Sequence, residues 1–334
     1  MKVFTFTPPT LTIEAASALL HAEKSVSTLG FRGLLIEIDA ISVGAADFAA
    51  QSLTLSKEPP ILGWGASGTV REVGSGVSLF QPGDEVYYMH AGSLASPGGY
   101  QRFHRVDERI VGHRPRSLSA TEAAALPFAA LIAWELLFDR LGVEQDSGAG
   151  DCLLIIGDAA GAASMLVQLA RQLTRLTVIA SATSPDQAAR LRQLGAHHVI
   201  DCTQPLMEQL LAVSIADVSH VVSLARTDQH FLQLIEVLRP QGRIGVIDDP
   251  RNLDALLLKS KSLSLHWEMI FTRPLYATAD MINQHYLLNR VSTLFDQGLL
   301  QTCPEADVSG TAGDDMDRAQ ALIERFKGAF SFLK

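Results

Sequence analysis

Apolar and polar residues alternate in short runs through the first third of the chain, over 34–43, 66–73, 84–88 and 101–106, and turn clusters such as Gln81-Pro82-Gly83-Asp84 separate the runs. Period-two alternation bounded by glycine and proline predicts half-buried strands, and their density predicts an all-β, barrel-like unit. The rhythm changes at Ser119. Ser119-Ala120-Thr121-Glu122 reads as a capping box opening a helix, Pro127 interrupts it, and a second apolar helix runs to about Leu141, ahead of a polar, glycine-containing linker over 144–150.

From Asp151 short, continuously apolar runs alternate with segments of helical period: strands over 152–156, 176–180, 198–201, 220–224, 243–247 and 262–266, with helices to about Leu173, across 187–194 and across 230–238. Strands that are apolar on both faces and separated by crossover-length helices predict a parallel sheet with right-handed connections, the doubly wound plan. The tail from Trp267 contains further helices and is expected to return to the first domain. The expected fold class is therefore α/β, with one domain over 1–122 and 267–334 and a second over 123–266.

A chain of 334 residues exceeds the size at which one core usually stops growing, in keeping with two domains. Its net charge of −9 comes with no Lys/Arg cluster, which argues against nucleic-acid and anionic-membrane partners and in favour of a small, uncharged or modestly polar ligand. Cys152, Cys202 and Cys303 are far apart, without a CxxC pair or a Cys/His cluster at metal-ligand spacing, so a reduced, cytoplasmic protein is expected. The most apolar stretch is broken by Asp158, and neither a membrane span nor a signal peptide is expected. Hydrolase and phosphotransfer readings lack a nucleophile elbow, an HExxH pair or a Walker loop.

Eight motifs in order carry a resemblance over nearly the whole chain: Ile41-Ser42-Val43 with Asp47, Leu62-Gly63-Trp64, Phe80-Gln81-Pro82-Gly83-Asp84-Glu85-Val86, Val106-Asp107-Glu108-Arg109-Ile110-Val111-Gly112-His113, Ala133-Trp134-Glu135-Leu136-Leu137, Leu194-Gly195-Ala196-His197-His198-Val199-Ile200-Asp201, Thr227-Asp228-Gln229-His230-Phe231 and Leu265-His266-Trp267-Glu268. The sequence resembles the medium-chain dehydrogenases/reductases, in the quinone-oxidoreductase-like branch often labelled zinc-type alcohol dehydrogenase-like. The resemblance implies a GroES-like β-barrel domain plus a Rossmann domain, an active site in the cleft between them, NADPH-dependent reduction of quinones or conjugated carbonyls, and a homodimer. It does not imply zinc, because the family's His-Glu ligand slot reads Trp64-Gly65 and the first 150 residues contain no cysteine. A carbonyl in such a site is polarised by hydrogen bonds alone.

The cofactor positions depart from the family pattern. The turn after the first Rossmann strand typically reads GGAGGVGS; here it is Gly157-Asp158-Ala159-Ala160-Gly161-Ala162-Ala163-Ser164, which puts Asp158, Ala160 and Ala163 at the fingerprint glycines. Alanine is tolerated at the third position. At the middle one, a methyl obstructs approach to the pyrophosphate and a positive φ costs about 1–2 kcal/mol. A carboxylate about 5 Å from a phosphate is repelled by roughly 3 kcal/mol, about a hundredfold in affinity. Asp158 either replaces the phosphate at the helix amino end or merely caps that helix. The family's Asn near the nicotinamide is replaced within Ser42-Val43-Gly44-Ala45-Ala46-Asp47, its Thr-Ala-Trp reads Ile132-Ala133-Trp134, and Ser184 stands where an adenosine-phosphate Arg is common. With no acidic residue ending the second strand, a residual preference leans to NADPH over NAD. The remaining expected cofactor contacts are Ser181, Leu224, Ile247 and Asp248.

Candidate chemistry in the cleft is carried by Tyr88 and His90, which could donate to a carbonyl or shuttle a proton, and by Asp47, with Trp64, Tyr100, Trp267 and Phe271 as pocket wall. The alternatives are core packing for the aromatics, a turn for Asp248-Asp249-Pro250 and plain surface for the strand-end pair. Three functions follow: a zinc-independent NADPH reductase with weakened cofactor binding, a redox-neutral enzyme such as a cyclase, isomerase or addition catalyst of secondary metabolism, or a non-catalytic binding protein.

Overall fold

The computed structural model describes residues 2–6, 19–23, 29–42, 63–90, 98–99, 101–157, 161–302 and 308–309. Asp47, Tyr100, Asp158, Ala160 and Cys303, all named above, lie outside the described residues. The chain divides into one unit of residues 1–128, 271–298 and 304–334 and another of 129–270 and 299–303. The junctions expected at 122/123 and 266/267 thus fall a few residues later. The first lies within a helix, Leu126–Trp134, that carries the chain across. The segment 299–303 joins the second unit because the Gln168 side chain brackets Gln301, accepting from its N–H at 2.7 Å and donating to its carbonyl at 3.2 Å.

The first unit is antiparallel. After a hairpin of β1 (Lys2–Phe6) and β2 (Leu19–Glu23), the strands β3 (Gly33–Ser42), β4 (Gly65–Val73), β5 (Glu85–Met89), β6 (Phe103–Asp107), β7 (Val111–His113) and β14 (Val308–Ser309) form a sheet of order β14-β3-β4-β5-β7, with β6 also on β3. Along β3 buried and partly exposed residues alternate, so Leu34, Ile36 and Ile38 enter one core with Val70, Val86, Tyr88 and Val106. Two register shifts between β3 and β4 bend the sheet. Glu108, wholly buried, clamps the turn beside it by accepting from the N–H groups of Ser78 and Leu79 at 2.9 Å each and from Arg32 at 2.8 Å. The tail contributes α7 (Thr272–Leu275) and α8 (Asn283–Asp296), the latter receiving the Tyr87 hydroxyl on the Leu288 carbonyl at 2.7 Å.

The capping box forms as expected: Ser119 Oγ accepts from Glu122 N–H and the Glu122 carboxylate from Ser119 N–H, opening α1 (Ala120–Ala124). Pro127 sits one residue into α2 (Leu126–Trp134), where its missing N–H costs nothing. A π-helical turn, Glu135–Arg140, follows.

The second unit holds six parallel strands, β8 (Cys152–Ile156), β9 (Thr177–Ser181), β10 (His198–Ile200), β11 (Val218–Ser223), β12 (Leu238–Val246) and β13 (Ser264–Trp267), in the order β10-β9-β8-β11-β12-β13. Counted within the sheet this is 3-2-1-4-5-6, the dinucleotide-binding order, with its reversal between β8 and β11. The crossovers carry α3 (Ala162–Leu173), α4 (Pro185–Gln193), α5 (Leu206–Ala212) and α6 (Thr227–Val237). The sequence reading omitted α5, whose first residue follows Pro205 without a side-chain cap. It also carried α6 one residue too far: β12 starts at Leu238, ahead of Pro240.

Candidate functional site

In the first unit His90 follows the last residue of β5, and its N–H donates to the Trp64 carbonyl at 2.6 Å. Tyr88, two residues earlier, is fully buried in the core, and its hydroxyl lies 2.8 Å from His104 Nδ1. The His104 ring meets the His90 ring edge-on, centroids 4.5 Å apart. His90 itself is 6% exposed, and among the described residues neither of its ring nitrogens has a hydrogen-bond partner. Burial pushes the imidazole down to about 4, so at neutral pH it holds one unspent donor and one unspent acceptor. Leaving such groups unpaired costs about 1–3 kcal/mol each, which a bound polar group would recover. His90 lines a cavity of about 440 Å³ together with Arg105, Asp107, Ile110, Leu275 and Met281. The Trp64 indole N–H is also buried and has no partner among the described residues, and its ring lies 4.9 Å from Phe271.

Tyr88, His90, Trp64 and Phe271 therefore belong to one unit, with Tyr88 acting only through His104. Trp267 belongs to the other unit, 53% exposed at the end of β13. Sequence reasoning passed over His104, because a histidine inside the run 101–106 carries no signal of the ring it will meet.

In the second unit the expected cofactor residues gather at the carboxyl ends of the strands. Gly157 follows β8 with φ +88°, and an added Cβ would lie 2.9 Å from Ala225 N, so only glycine fits. Its N–H donates to Ser181 Oγ at 3.0 Å. Gly161, with φ +86°, opens α3 and, as its N-cap, has no side chain with which to cap it. The amino end of α3 thus presents backbone N–H groups beside the small residues Ala162, Ala163 and Ser164, which suits a phosphate. Leu224 N–H is paired with Ile156 O at 2.9 Å and Ile247 N–H with Ser223 O at 3.4 Å, so both are held by the sheet. Ser184 caps α4 by accepting from Gln187 N–H at 3.2 Å. Asp248 accepts the N–H and the hydroxyl of Thr227, at the start of α6. The described features suited to a phosphate are Gly157, Gly161 and the amino end of α3, while Ser184 and Asp248 are committed to helix ends.

Zinc does not fit the slot it occupies in metal-dependent relatives. Trp64 offers only a donor, and a Cβ on Gly65 would lie 2.9 Å from the Ala124 carbonyl. Among the described residues no three His, Cys, Asp or Glu side chains are grouped to hold a metal, and no helix is long and apolar enough to cross a membrane.

Residues 31–116 match the alcohol dehydrogenase GroES-like domain and residues 194–324 the zinc-binding dehydrogenase family. A zinc-type alcohol dehydrogenase-like protein of Staphylococcus aureus is 30% identical over 330 residues, covering 97% of both chains. The 2-methylene-furan-3-one reductase of Solanum lycopersicum is 34% identical over 185 residues, 53% of this chain and 46% of its own. Among solved structures, a protein from Rhizobium etli described as a zinc-dependent alcohol dehydrogenase superposes with a TM-score of 0.84 at 40% identity, covering 97% of this chain and 95% of that one. The Escherichia coli quinone oxidoreductase complexed with NADPH shares the fold, with a TM-score of 0.73 at 19% identity over 97% and 96% of the two chains. With its GroES-like unit, its 3-2-1-4-5-6 parallel sheet and a full-length relative at this identity, the chain belongs to the medium-chain dehydrogenase/reductase superfamily, among the zinc-type alcohol dehydrogenase-like proteins.

Proposed function

We propose that the protein is a zinc-independent reductase of a quinone or conjugated carbonyl, working with NADPH that it binds less tightly than its relatives do. The observation that carries the reading is the pair of positive-φ glycines, Gly157 and Gly161, that lead from β8 into the amino end of α3 at the reversal of the strand order. NADPH, when bound, would supply the hydride. The chain's own contribution would be His90, a neutral imidazole with an unspent N–H, which suits a carbonyl oxygen on which negative charge develops. The Solanum lycopersicum relative, a reductase whose named substrate is a conjugated carbonyl, supports the substrate class. Weakening would come from Asp158 and Ala160, which replace glycines in the turn.

The test is calorimetric titration with NADPH and NADP⁺ of the natural protein and of Asp158→Gly/Ala160→Gly, followed by NADPH consumption with a panel of quinones and enones. The expected result is weak binding that the double variant tightens by about a hundredfold, the scale of one phosphate–carboxylate repulsion, and turnover that falls in His90→Phe. No consumption of saturating NADPH by either protein would overturn the reading.

A second reading is favoured by the acidic residue Asp158 in the phosphate turn: a redox-neutral reaction with nucleotide binding lost. Turnover that persists after complete removal of nucleotide would select it.

A further inference from the structure

A second cavity, of about 290 Å³, opens at the amino ends of β8, β11 and β12. Five residues of β8, roughly 15 Å of strand, separate it from the nucleotide end. Among its lining residues are His220, Ser219, Arg239, Arg243 and Asp151. It owes its existence to an irregularity. The β11–β12 register passes from Val218↔Leu238 to His220↔Arg243, so two steps along β11 match five along β12, and the extra residues swing out at Gln241, whose φ is +64°.

Ser219 occupies the gap. Its hydroxyl oxygen accepts from Cys152 N–H at 3.1 Å and lies 2.8 Å from the Cys152 carbonyl and 2.8 Å from His220 Nδ1. A serine has one proton to give. Two oxygens at 2.8 Å with no proton between them would repel, so that proton goes to the carbonyl. His220 Nδ1 must then be the donor to Ser219, which leaves Nε2 as a bare lone pair in the imidazole. Burial pushes His220 down to about 4, with Asp151 acting in the opposite sense, so the neutral form prevails at neutral pH.

The charges around it are unequal. Arg239 is paired with Asp151 at 2.7 Å. Arg243 spends one N–H on the Leu141 carbonyl, and among the described residues no carboxylate stands at salt-bridge distance from it. The cavity, whose wall also carries the Glu144 carboxylate, therefore presents a guanidinium with no salt bridge among the described residues beside an oriented acceptor, a pairing that sheet stability does not require.

We propose that this cavity is a binding site for a small oxyanion that also carries a hydroxyl hydrogen, such as a hydroxycarboxylate or hydrogen phosphate, with Arg243 taking the charge and His220 Nε2 accepting the hydroxyl. The site is independent of the nucleotide end and of the reductase reading.

Inorganic phosphate and sulfate separate the two contributions, because phosphate keeps a P–OH at neutral pH and sulfate has none. The full chain is titrated with each anion while the His220 ring nitrogens are followed by long-range ¹H–¹⁵N NMR, so anions bound elsewhere are not counted. Expected is a saturable shift of Nε2 with phosphate at least about tenfold tighter than with sulfate, equivalent to about 1.4 kcal/mol. His220→Leu, followed through the Arg243 side-chain resonances, lowers phosphate to the sulfate level, and Arg243→Gln removes both, with circular dichroism matching the natural protein. Equal affinity for the two anions, a phosphate preference retained in His220→Leu, or no saturable shift with either anion would overturn the proposal.

Discussion

The carboxylate of Asp248 accepts the backbone N–H of Thr227 at 2.9 Å, joining the loop after β12 to the first turn of α6. Thr227 in turn is 2.7 Å from Ser223 Oγ at the end of β11, so one acidic side chain fixes a strand end and a helix start together. Asp248 thereby acts as a cap delivered from a neighbouring strand. Asp248→Ala is expected to cost about 1–2 kcal/mol in urea denaturation. NADPH affinity in the same variant should stay within a few-fold of the natural protein, and a larger loss would show that Asp248 faces the nucleotide.

Gly157 is a position where the backbone leaves no choice. Gly157→Ala carries the left-handed penalty of about 1–2 kcal/mol and adds a contact with Ala225 N at 2.9 Å, so a loss of at least about 2 kcal/mol is expected in equilibrium unfolding. A change below about 0.5 kcal/mol would mean that the turn is not held as described.

The Glu108 clamp gives an asymmetric pair. Its side chain is fully buried whereas that of Arg32 is 43% exposed. Glu108→Ala, which strips two backbone N–H groups of their acceptor, should cost about 3 kcal/mol, and Arg32→Ala less than about 1 kcal/mol. Thermal unfolding of the two variants side by side checks the ratio.

His90 and His220 make stability depend on pH in a known direction. Both are pushed down to about 4 in the folded protein, chiefly by burial, from the ordinary 6.5. Between those values the unfolded chain binds more protons than the folded one, so stability is highest above pH 6.5 and falls as the pH drops through 6.5 towards 4. For His90 the full span is worth about 3 kcal/mol. His90→Phe should flatten this part of the curve in urea titrations across that range, and an unchanged slope would show that His90 titrates normally.

Much of this architecture is legible in the sequence. The parallel sheet announces itself because β8 and β9 are buried on both faces and carry continuous apolar runs. The capping box at Ser119 is legible because its chemistry is local. Other features depend on residues far apart in sequence. His90 can be picked out as a polar strand end, yet its isolation depends on His104 from β6 packing against it. His220 falls in a strand expected from its apolar neighbours, and the polar pair Ser219-His220 at the start of that strand is a bare hint, because the register jump against β12 that opens the cavity is not written in either strand alone. A strand's carboxyl end is where ligands gather, which is the reason to expect Asp248 at a nucleotide, and pattern reading does not reveal that Thr227 holds it.

Gly65 shows how a slot can be closed by its surroundings. A side chain there would press on the Ser42 hydroxyl and on the Ala124 carbonyl, and the latter is backbone that cannot rotate aside. No single substitution at 65 can supply a metal-binding carboxylate: β4 and the end of α1 would have to separate first. The obstacle to a ligand in this slot lies in the packing of β4 against α1, and not only in the identity of residue 65.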